Sequence, residues 1–193
     1  MTDHEQIRQL LHAFQEGYTH RDPARLEAFM MLFTEDVETI GTNGIRPGQG
    51  EWYTDRESSS ILVKEDWEFW GDFKLDPERT AIRIYADTAW ISAFATVTQT
   101  IGDQAYDNYL TAIKSLLDDA TLSAEHKLHD ILRGASNTLF ELHRGSLFIW
   151  PLRLTAVAVR GASGWQFAQL HFSFPTTRFP DVRHTDESSL DQS

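Results

Sequence analysis

Three absences limit what this 193-residue sequence can be: it has no cysteine, no excess of basic residues and no long apolar segment. Without cysteine it can form no disulfide, thiolate metal site or thiol nucleophile. Its 29 Asp and Glu residues outnumber 17 Lys and Arg residues, and the formal net charge of −12 argues against binding to nucleic acid or anionic lipid. No segment could span a bilayer, and the N-terminus lacks a signal-peptide pattern. We therefore expect a soluble, cytoplasmic protein.

The sequence does contain enough apolar material for a real core, with 41% hydrophobic residues and six tryptophans. A chain of this length is expected to form one domain with an extension or insertion. Residues 1–175 carry the regular patterns and are predicted to be that domain. Residues 176–193 are polar, acidic and without pattern, and are predicted to be a disordered tail.

The N-terminal half has helical patterns interrupted by one short strand. A capping box beginning at Thr2 and an apolar stripe ending at Tyr18 predict an amphipathic first helix. Asp22, followed by proline, predicts the N-cap of a second helix. A strand is predicted over residues 35–40 and a third helix over residues 51–67.

The C-terminal part has the pattern of a β-hairpin with its loop at Gly161–Gly164. With that loop, Val159 pairs with Gln166 and Arg153 pairs with Phe172. Side chains alternate along a strand, so one face of the hairpin should carry Arg153 and Phe172. The opposite face should carry Trp165, Phe167, Gln169 and His171.

Several of these features together resemble a known family. The last strand opens with Trp165, contains His171-Phe172-Ser173 and is closed by Pro175, and the N-terminal half has a helix, an Asp-Pro restart and Phe-Thr-Glu-Asp at 33–36. This combination is similar to the SnoaL-like domain of the nuclear-transport-factor-2-like (NTF2-like) superfamily. The resemblance implies an α+β cone, in which three N-terminal helices pack on a strongly curved, mainly antiparallel sheet. Residues 102–147 depart from it, because their two helical stripes predict an inserted helical hairpin.

The resemblance also implies a pocket between the helices and the sheet, for which we expect a small apolar or aromatic ligand and neither metal nor cofactor. An arginine at 153 on that face would need an acceptor, either an anionic group of the ligand or an internal acid such as Asp55 or Asp66. Tryptophans around the third helix could line the site beside a carboxylate base, or simply belong to the core. The candidate lining residues are Tyr18, Phe33, Trp52, Asp55, Trp67, Trp70, Arg153, Leu170 and Phe172.

Two functional hypotheses follow, since this fold supports many activities. The first is a small-molecule-binding protein of unspecified activity. The second is a metal-free acid–base enzyme, of the isomerase, cyclase or dehydratase type, acting on a carbonyl or polycyclic substrate. His171 could serve such an enzyme as a base, but the predicted register places it on the outer face of the sheet. There, Trp165, Phe167, Gln169 and His171 are expected to form a homodimer interface.

Overall fold

The computed structural model describes residues 1–102, 104–142 and 147–175. Its helices are α1 (Asp3–His20), α2 (Leu26–Met30), α3 (Arg56–Phe69), α4 (Ala105–Asp118) and α5 (Ala124–Leu142), with a 3-10 turn at Pro23–Arg25 before α2. Its strands are β1 (Phe33–Ile40), β2 (Trp52–Tyr53), β3 (Asp72–Leu75), β4 (Ala81–Tyr85), β5 (Thr88–Thr100), β6 (Leu147–Gly161) and β7 (Gly164–Ser173).

The described strands form one curved, unclosed sheet in the order β2-β1-β7-β6-β5-β3. β4 pairs with the first half of β5, and β3 pairs with its second half. Only the pairing of β1 with β7 is parallel among the described strand pairs. The N-terminal helices supply the aromatic and aliphatic side chains that cover one face of this sheet. The predicted α+β architecture is therefore confirmed.

The helix starts follow from short-range hydrogen bonds that the sequence predicts well. Thr2 and Glu5 form the reciprocal capping box, and the Asp22 carboxylate accepts a hydrogen bond from the backbone N–H of Ala24 at 3.0 Å. The third helix begins later than predicted. Asp55 caps it by accepting a hydrogen bond from the Ser58 backbone N–H at 2.7 Å, and the residues before it form β2 instead.

The core is organised around the ring of Phe14 on α1, which is 1% exposed. Its centroid lies 4.9 Å from that of Tyr18, 5.6 Å from Phe29 and 5.6 Å from Phe167. It also contacts Phe73 from β3 at 5.9 Å, and Phe33 and Phe172 beyond 6 Å. One side chain of α1 thus contacts aromatic rings from α2 and from three strands.

The predicted pairing of the C-terminal hairpin is correct at its loop and wrong further along. Val159 pairs with Gln166 as expected, but Ala168 is an extra residue that forms a β-bulge, and Val157 pairs with Gln169. The bulge shifts the register by one, so Arg153 lies opposite Ser173 rather than Phe172. A shift of one residue exchanges the two faces of a strand.

The predicted core face of the hairpin is wrong before the bulge, because the core lies on the side of Leu154 and Ala158, and the bulge brings Leu170 to that same side. Trp165 and Phe167 are 6% and 0% exposed and point into the core, so they cannot form an outer dimer interface. Arg153 is exposed, and its guanidinium donates to the Phe174 carbonyl oxygen at 2.8 Å instead of reaching a pocket. Gln169 and His171 do lie on the face away from the helices, because the bulge restores their predicted side.

The helices α4 and α5 lie between β5 and β6, where the sequence predicts a helical insertion. No helix in the described part of the chain combines the length and the apolar character needed to cross a membrane. The predicted tail, residues 176–193, lies outside the described residues.

Candidate functional site

A cleft of about 360 Å³ opens between the C-terminal half of α3 and the segment that joins β1 to β2. It is lined by Gly41, Thr42, Asn43, Glu51, Leu62, Glu65, Asp66, Phe69, Trp70 and Phe172. One wall comes from α3, whose lining residues are spaced by three, four and seven positions and therefore lie on one side of the helix. The floor includes Phe172 from β7.

The opposite wall is held by hydrogen bonds within the loop between β1 and β2. The backbone N–H of Asn43 donates to Glu51 Oε2 at 2.9 Å, and its side-chain amide donates to Oε1 at 2.8 Å. Gly41 lies against the same carboxylate, and a Cβ atom there would stand 2.3 Å from Glu51 Oε2. These contacts fix the Glu51 carboxylate at the edge of the cleft.

The chemically distinctive group in the cleft is the half-buried carboxyl of Asp66 on α3. Tyr18, which is 2% exposed, donates its hydroxyl to Asp66 Oδ2 at 2.8 Å from beneath. Burial raises the pKa of Asp66 to about 7, and the nearby carboxylates of Glu51 and Glu65 act in the same direction. The Tyr18 hydrogen bond and the charge of Arg21 oppose that rise. Asp66 is therefore populated in both protonation states near neutral pH.

Arg21 connects the end of α1 to the end of α3, next to this carboxyl. It terminates α1 in a left-handed conformation with a φ of 48°. Its guanidinium donates to the carbonyl oxygens of Tyr18 at 2.9 Å, Trp70 at 2.6 Å, and Gly71. Arg21 thus holds Trp70 at the cleft and places a positive charge near Asp66.

We expect Arg21→Met to raise the pKa of Asp66 and to destabilise the protein. The substitution removes the cation that lowers this pKa, and it leaves three carbonyl oxygens without their donor. The loss should be about 1–3 kcal/mol, in the range for groups that lose a hydrogen-bond partner. Urea unfolding measures the loss, with Arg79→Met as the control, because the Arg79 side chain is 90% exposed. Equal stabilities of the two variants would contradict the role assigned to Arg21.

The charge of the cleft selects against anions. Three carboxyl groups line it, those of Glu51, Glu65 and Asp66, and none of the described residues in its wall is basic. A ligand that carries a carboxylate would be repelled by these three groups, whereas a neutral or cationic ligand would not. The sequence-based idea of an anionic ligand bound by Arg153 is thus not supported, because Arg153 lies on the other face of the sheet.

The structure brings only part of the predicted site together. Trp70 and Phe172 line the cleft, with ring centroids 5.9 Å apart, and Tyr18 lies one layer below. Phe33 and Leu170 are core residues, each 1% exposed. Three others serve local structure: Trp52 donates its indole N–H to Glu38 at 2.8 Å, Asp55 caps α3, and Trp67 packs against Phe29.

The sequence predicts Asp66 only as an ion-pair partner of Arg153 or as a base beside the tryptophans, whereas in the structure it is the central residue of the cleft. The sequence marks this position by an acid that follows Leu62 and Val63 by four and three residues in the predicted third helix and precedes Trp70, just beyond that helix, by four. In the described part of the chain, no group of three or more His, Cys, Asp or Glu side chains is arranged to hold a metal ion.

Comparison with known proteins agrees with this architecture. A candidate dehydratase of the NTF2-like family from Streptomyces avermitilis superposes with a TM-score of 0.55 at 15% identity, covering 91% of this chain and 97% of that chain. A candidate aromatic ring hydroxylase from Novosphingobium aromaticivorans gives 0.54 at 14% identity, with coverages of 89% and 88%. A candidate scytalone dehydratase from the same organism gives 0.54 at 9% identity, with coverages of 95% and 87%.

These identities are low enough that the structural matches show the fold and not an activity. No functionally curated protein matches the sequence significantly. The family model of the SnoaL-like domain, however, matches residues 7–115, which is more than half of the chain. The chain therefore belongs to the SnoaL-like domain family, and it shares its fold with NTF2-like proteins.

Proposed function

We propose that the protein is a metal-free acid–base enzyme that acts on a small apolar or aromatic molecule with a carbonyl group. The observation that carries this proposal is the half-buried Asp66 carboxyl, set in a cleft of about 360 Å³ and hydrogen-bonded by a buried tyrosine at 2.8 Å. A general base is most effective when its pKa is close to the working pH, and burial raises that of Asp66 to about 7.

Each neighbouring group has a role in this proposal. Phe69, Trp70 and Phe172 offer apolar and aromatic surface against which a flat ligand can pack. Tyr18 positions the Asp66 carboxyl and leaves the second carboxyl oxygen, Oδ1, for substrate. Glu51 and Glu65 raise the pKa of Asp66 and favour a neutral or cationic ligand over an anion.

The reaction class follows from what one carboxyl group can do with a single proton. In its ionised form, Asp66 would remove a proton from the carbon next to a carbonyl. In its protonated form, it would return that proton to another carbon, giving an isomerisation, or to a departing hydroxyl, giving a dehydration. The dehydratase names of two structural neighbours support the second version, although their low identity supports only the fold directly.

Ligand binding without catalysis is the second candidate function. It is favoured by the Tyr18 hydrogen bond, because a carboxyl group that already accepts a hydrogen bond from the protein can serve to hold α3 on α1 and need not react with a ligand. In this version the aromatic wall of the cleft provides specificity, and Asp66 only connects α3 to α1.

Deuterium exchange separates the two functions. The protein is incubated in D2O with a panel of neutral and amine-bearing cyclic ketones and β-hydroxy ketones, and NMR follows exchange at the α-carbon and loss of water. We expect the wild type to accelerate exchange or dehydration of at least one compound, and Asp66→Asn to abolish that effect. Glu68→Gln, which removes an exposed carboxylate from the same helix, should behave like the wild type.

Saturation-transfer difference NMR on the same samples measures ligand binding independently of turnover. Binding of a ketone at the cleft by both the wild type and Asp66→Asn, with no exchange in either, would favour the ligand-binding function. Activity that survives in Asp66→Asn would contradict the catalytic role of this residue.

The homodimer predicted from the sequence remains a proposal. Its interface needs a different surface, since Trp165 and Phe167 belong to the core.

A further inference from the structure

The helices α4 and α5 form an antiparallel hairpin that is held together by its own contacts. Tyr109 packs against Gly134 so closely that a Cβ atom at position 134 would stand 2.5 Å from the tyrosine ring. The Tyr109 hydroxyl donates to the Ile131 carbonyl oxygen at 2.5 Å, and the Lys127 ammonium donates to that of Leu117 at 2.6 Å. The hairpin is therefore a preformed unit.

This hairpin leaves a set of large apolar side chains exposed. On α4 they are Tyr106, Leu110 and Leu117, which are 44%, 54% and 54% exposed. On α5 they are Leu128, Leu132 and Leu139, which are 67%, 69% and 51% exposed. Within each helix the three residues are four and seven positions apart, so they form a single stripe of the kind used in helix bundles.

The two stripes lie on the same side of the hairpin. On α4, the half-buried residues Tyr109 and Ile113 lie on the side of α5. Successive residues advance by about 100° around a helix axis, which places the exposed stripe roughly a quarter turn further around α4 than these two residues. On α5, Ile131 and Gly134 are half-buried towards α4, and the exposed stripe is rotated by a similar angle in the same sense. In antiparallel helices, equal rotations along the chain point to one common side. The six side chains make one apolar surface, which we call the hairpin face.

The hairpin face is large enough to need a partner. Six side chains that are about half exposed present on the order of 100 Å² each, or roughly 600 Å² together, which reaches the upper range of patches found on soluble monomers. The body of the domain does not cover it, because these six residues are exposed and no residue of α4 is buried. An anionic lipid surface is a poor occupant, since residues 105–142 contain six acidic and only three basic residues.

We propose that the hairpin face packs against the hairpin face of a second copy of this chain, forming an intermolecular four-helix bundle. A two-fold interface requires a self-complementary patch, and the two stripes are antiparallel and equally long, from 106 to 117 and from 128 to 139. A two-fold axis along the hairpin therefore places each α4 stripe on an α5 stripe of the other copy. Two faces would bury roughly 1,200 Å², the lower limit for a specific interface.

The outer face of the sheet is the competing surface, and it is less suited to self-association. Its exposed aromatic residues include Tyr85, Trp90 and Phe94, which are 66%, 42% and 56% exposed, and the rings of Tyr85 and Trp90 stack 5.0 Å apart. The last two alternate with polar neighbours, since Trp90 pairs with Arg83 on one side and Phe94 pairs with Arg153 on the other. The six side chains of the hairpin face are uncharged, and the nearest charged residues on the same side are Lys114, between Leu110 and Leu117, and Glu125, three positions before Leu128.

The first test is the oligomeric state of full-length variants by light scattering and sedimentation. We expect a wild-type dimer, and a rise of at least about 100-fold in its dissociation constant for Leu110→Glu, because the new carboxylate is buried twice in a two-fold interface. Ser115→Glu, on the opposite side of the same helix, should remain a dimer. Circular dichroism and melting should show that both variants keep the fold. A monomeric wild type, or a dimer split by Phe94→Asp but not by Leu110→Glu, would overturn the proposal.

The second test uses the absence of cysteine in the chain. A single Leu132→Cys substitution keeps the position apolar and provides one site for a short bismaleimide cross-linker. Efficient cross-linking to a dimer is expected for this variant and not for Ser115→Cys. Equal cross-linking of the two cysteine variants would show that the hairpin face is not the interface.

Discussion

Asp66→Asn is expected to stabilise the protein at pH 8, and the gain should shrink as the pH is lowered. The folded protein raises the pKa of this carboxyl from 3.8 to about 7, mainly through burial. Between these values the folded state binds a proton that the unfolded state does not, so the stability conferred by Asp66 falls as pH rises through this window. Asparagine cannot ionise, and its carbonyl oxygen can still accept the Tyr18 hydroxyl.

The size of the effect follows from the pKa difference. The gain of the variant over the wild type should increase by about 1.4 kcal/mol per pH unit between roughly pH 4 and 7, and level off at no more than about 4 kcal/mol. Urea unfolding at pH 5.5, 7 and 8.5 measures this gain. Glu68→Gln removes an exposed carboxylate from α3 and should show no such pH dependence. A gain that is constant with pH would mean that Asp66 has an ordinary pKa.

Phe14→Ala is expected to give the largest loss of stability of any change considered for this protein, about 3–5 kcal/mol. The ring is 1% exposed and lies within 6 Å of four other aromatic rings, which cannot all move to fill the space it would leave. Because those rings come from α1, α2, β3 and β7, the cavity would lie where the helices meet the sheet.

Denaturant unfolding of Phe14→Ala measures this loss, and Phe94→Ala is the matched control. Phe94 is 56% exposed on the outer face of β5, so its removal should change the free energy of unfolding by less than about 1 kcal/mol in a sample kept monomeric. Similar losses for the two variants would show that Phe14 is not the centre of the core.

The features that the sequence predicts correctly depend on neighbouring residues. The capping box at Thr2, the Asp22 N-cap and the two helical stripes of the insertion each need only a few adjacent positions. The family resemblance likewise rests on short motifs, and together with the α+β architecture it is confirmed.

The features that the sequence does not predict depend on contacts between residues that are far apart along the chain. Nothing in the composition around Ala168 distinguishes a bulge from a regular strand, because the extra residue is accommodated by the pairing of β7 with β6. The same is true of Asp66, whose raised pKa arises from burial under segments from other parts of the chain. An acid in an apolar helical stripe marks the position, and only the packing of α3 on Tyr18 gives it a chemical role.

The bulge at Ala168 also determines how β7 can be engineered. Between Gly164 and Phe167 the odd-numbered residues point into the core, whereas from Gln169 onwards the even-numbered residues do. A combinatorial library that randomises every second position of this strand would therefore mix core and surface positions, and most of its members would fail to fold. To vary only the core side of the sheet, a library would have to change odd-numbered positions before Ala168 and even-numbered positions after it. A second library with the opposite choice of positions would vary only the outer side.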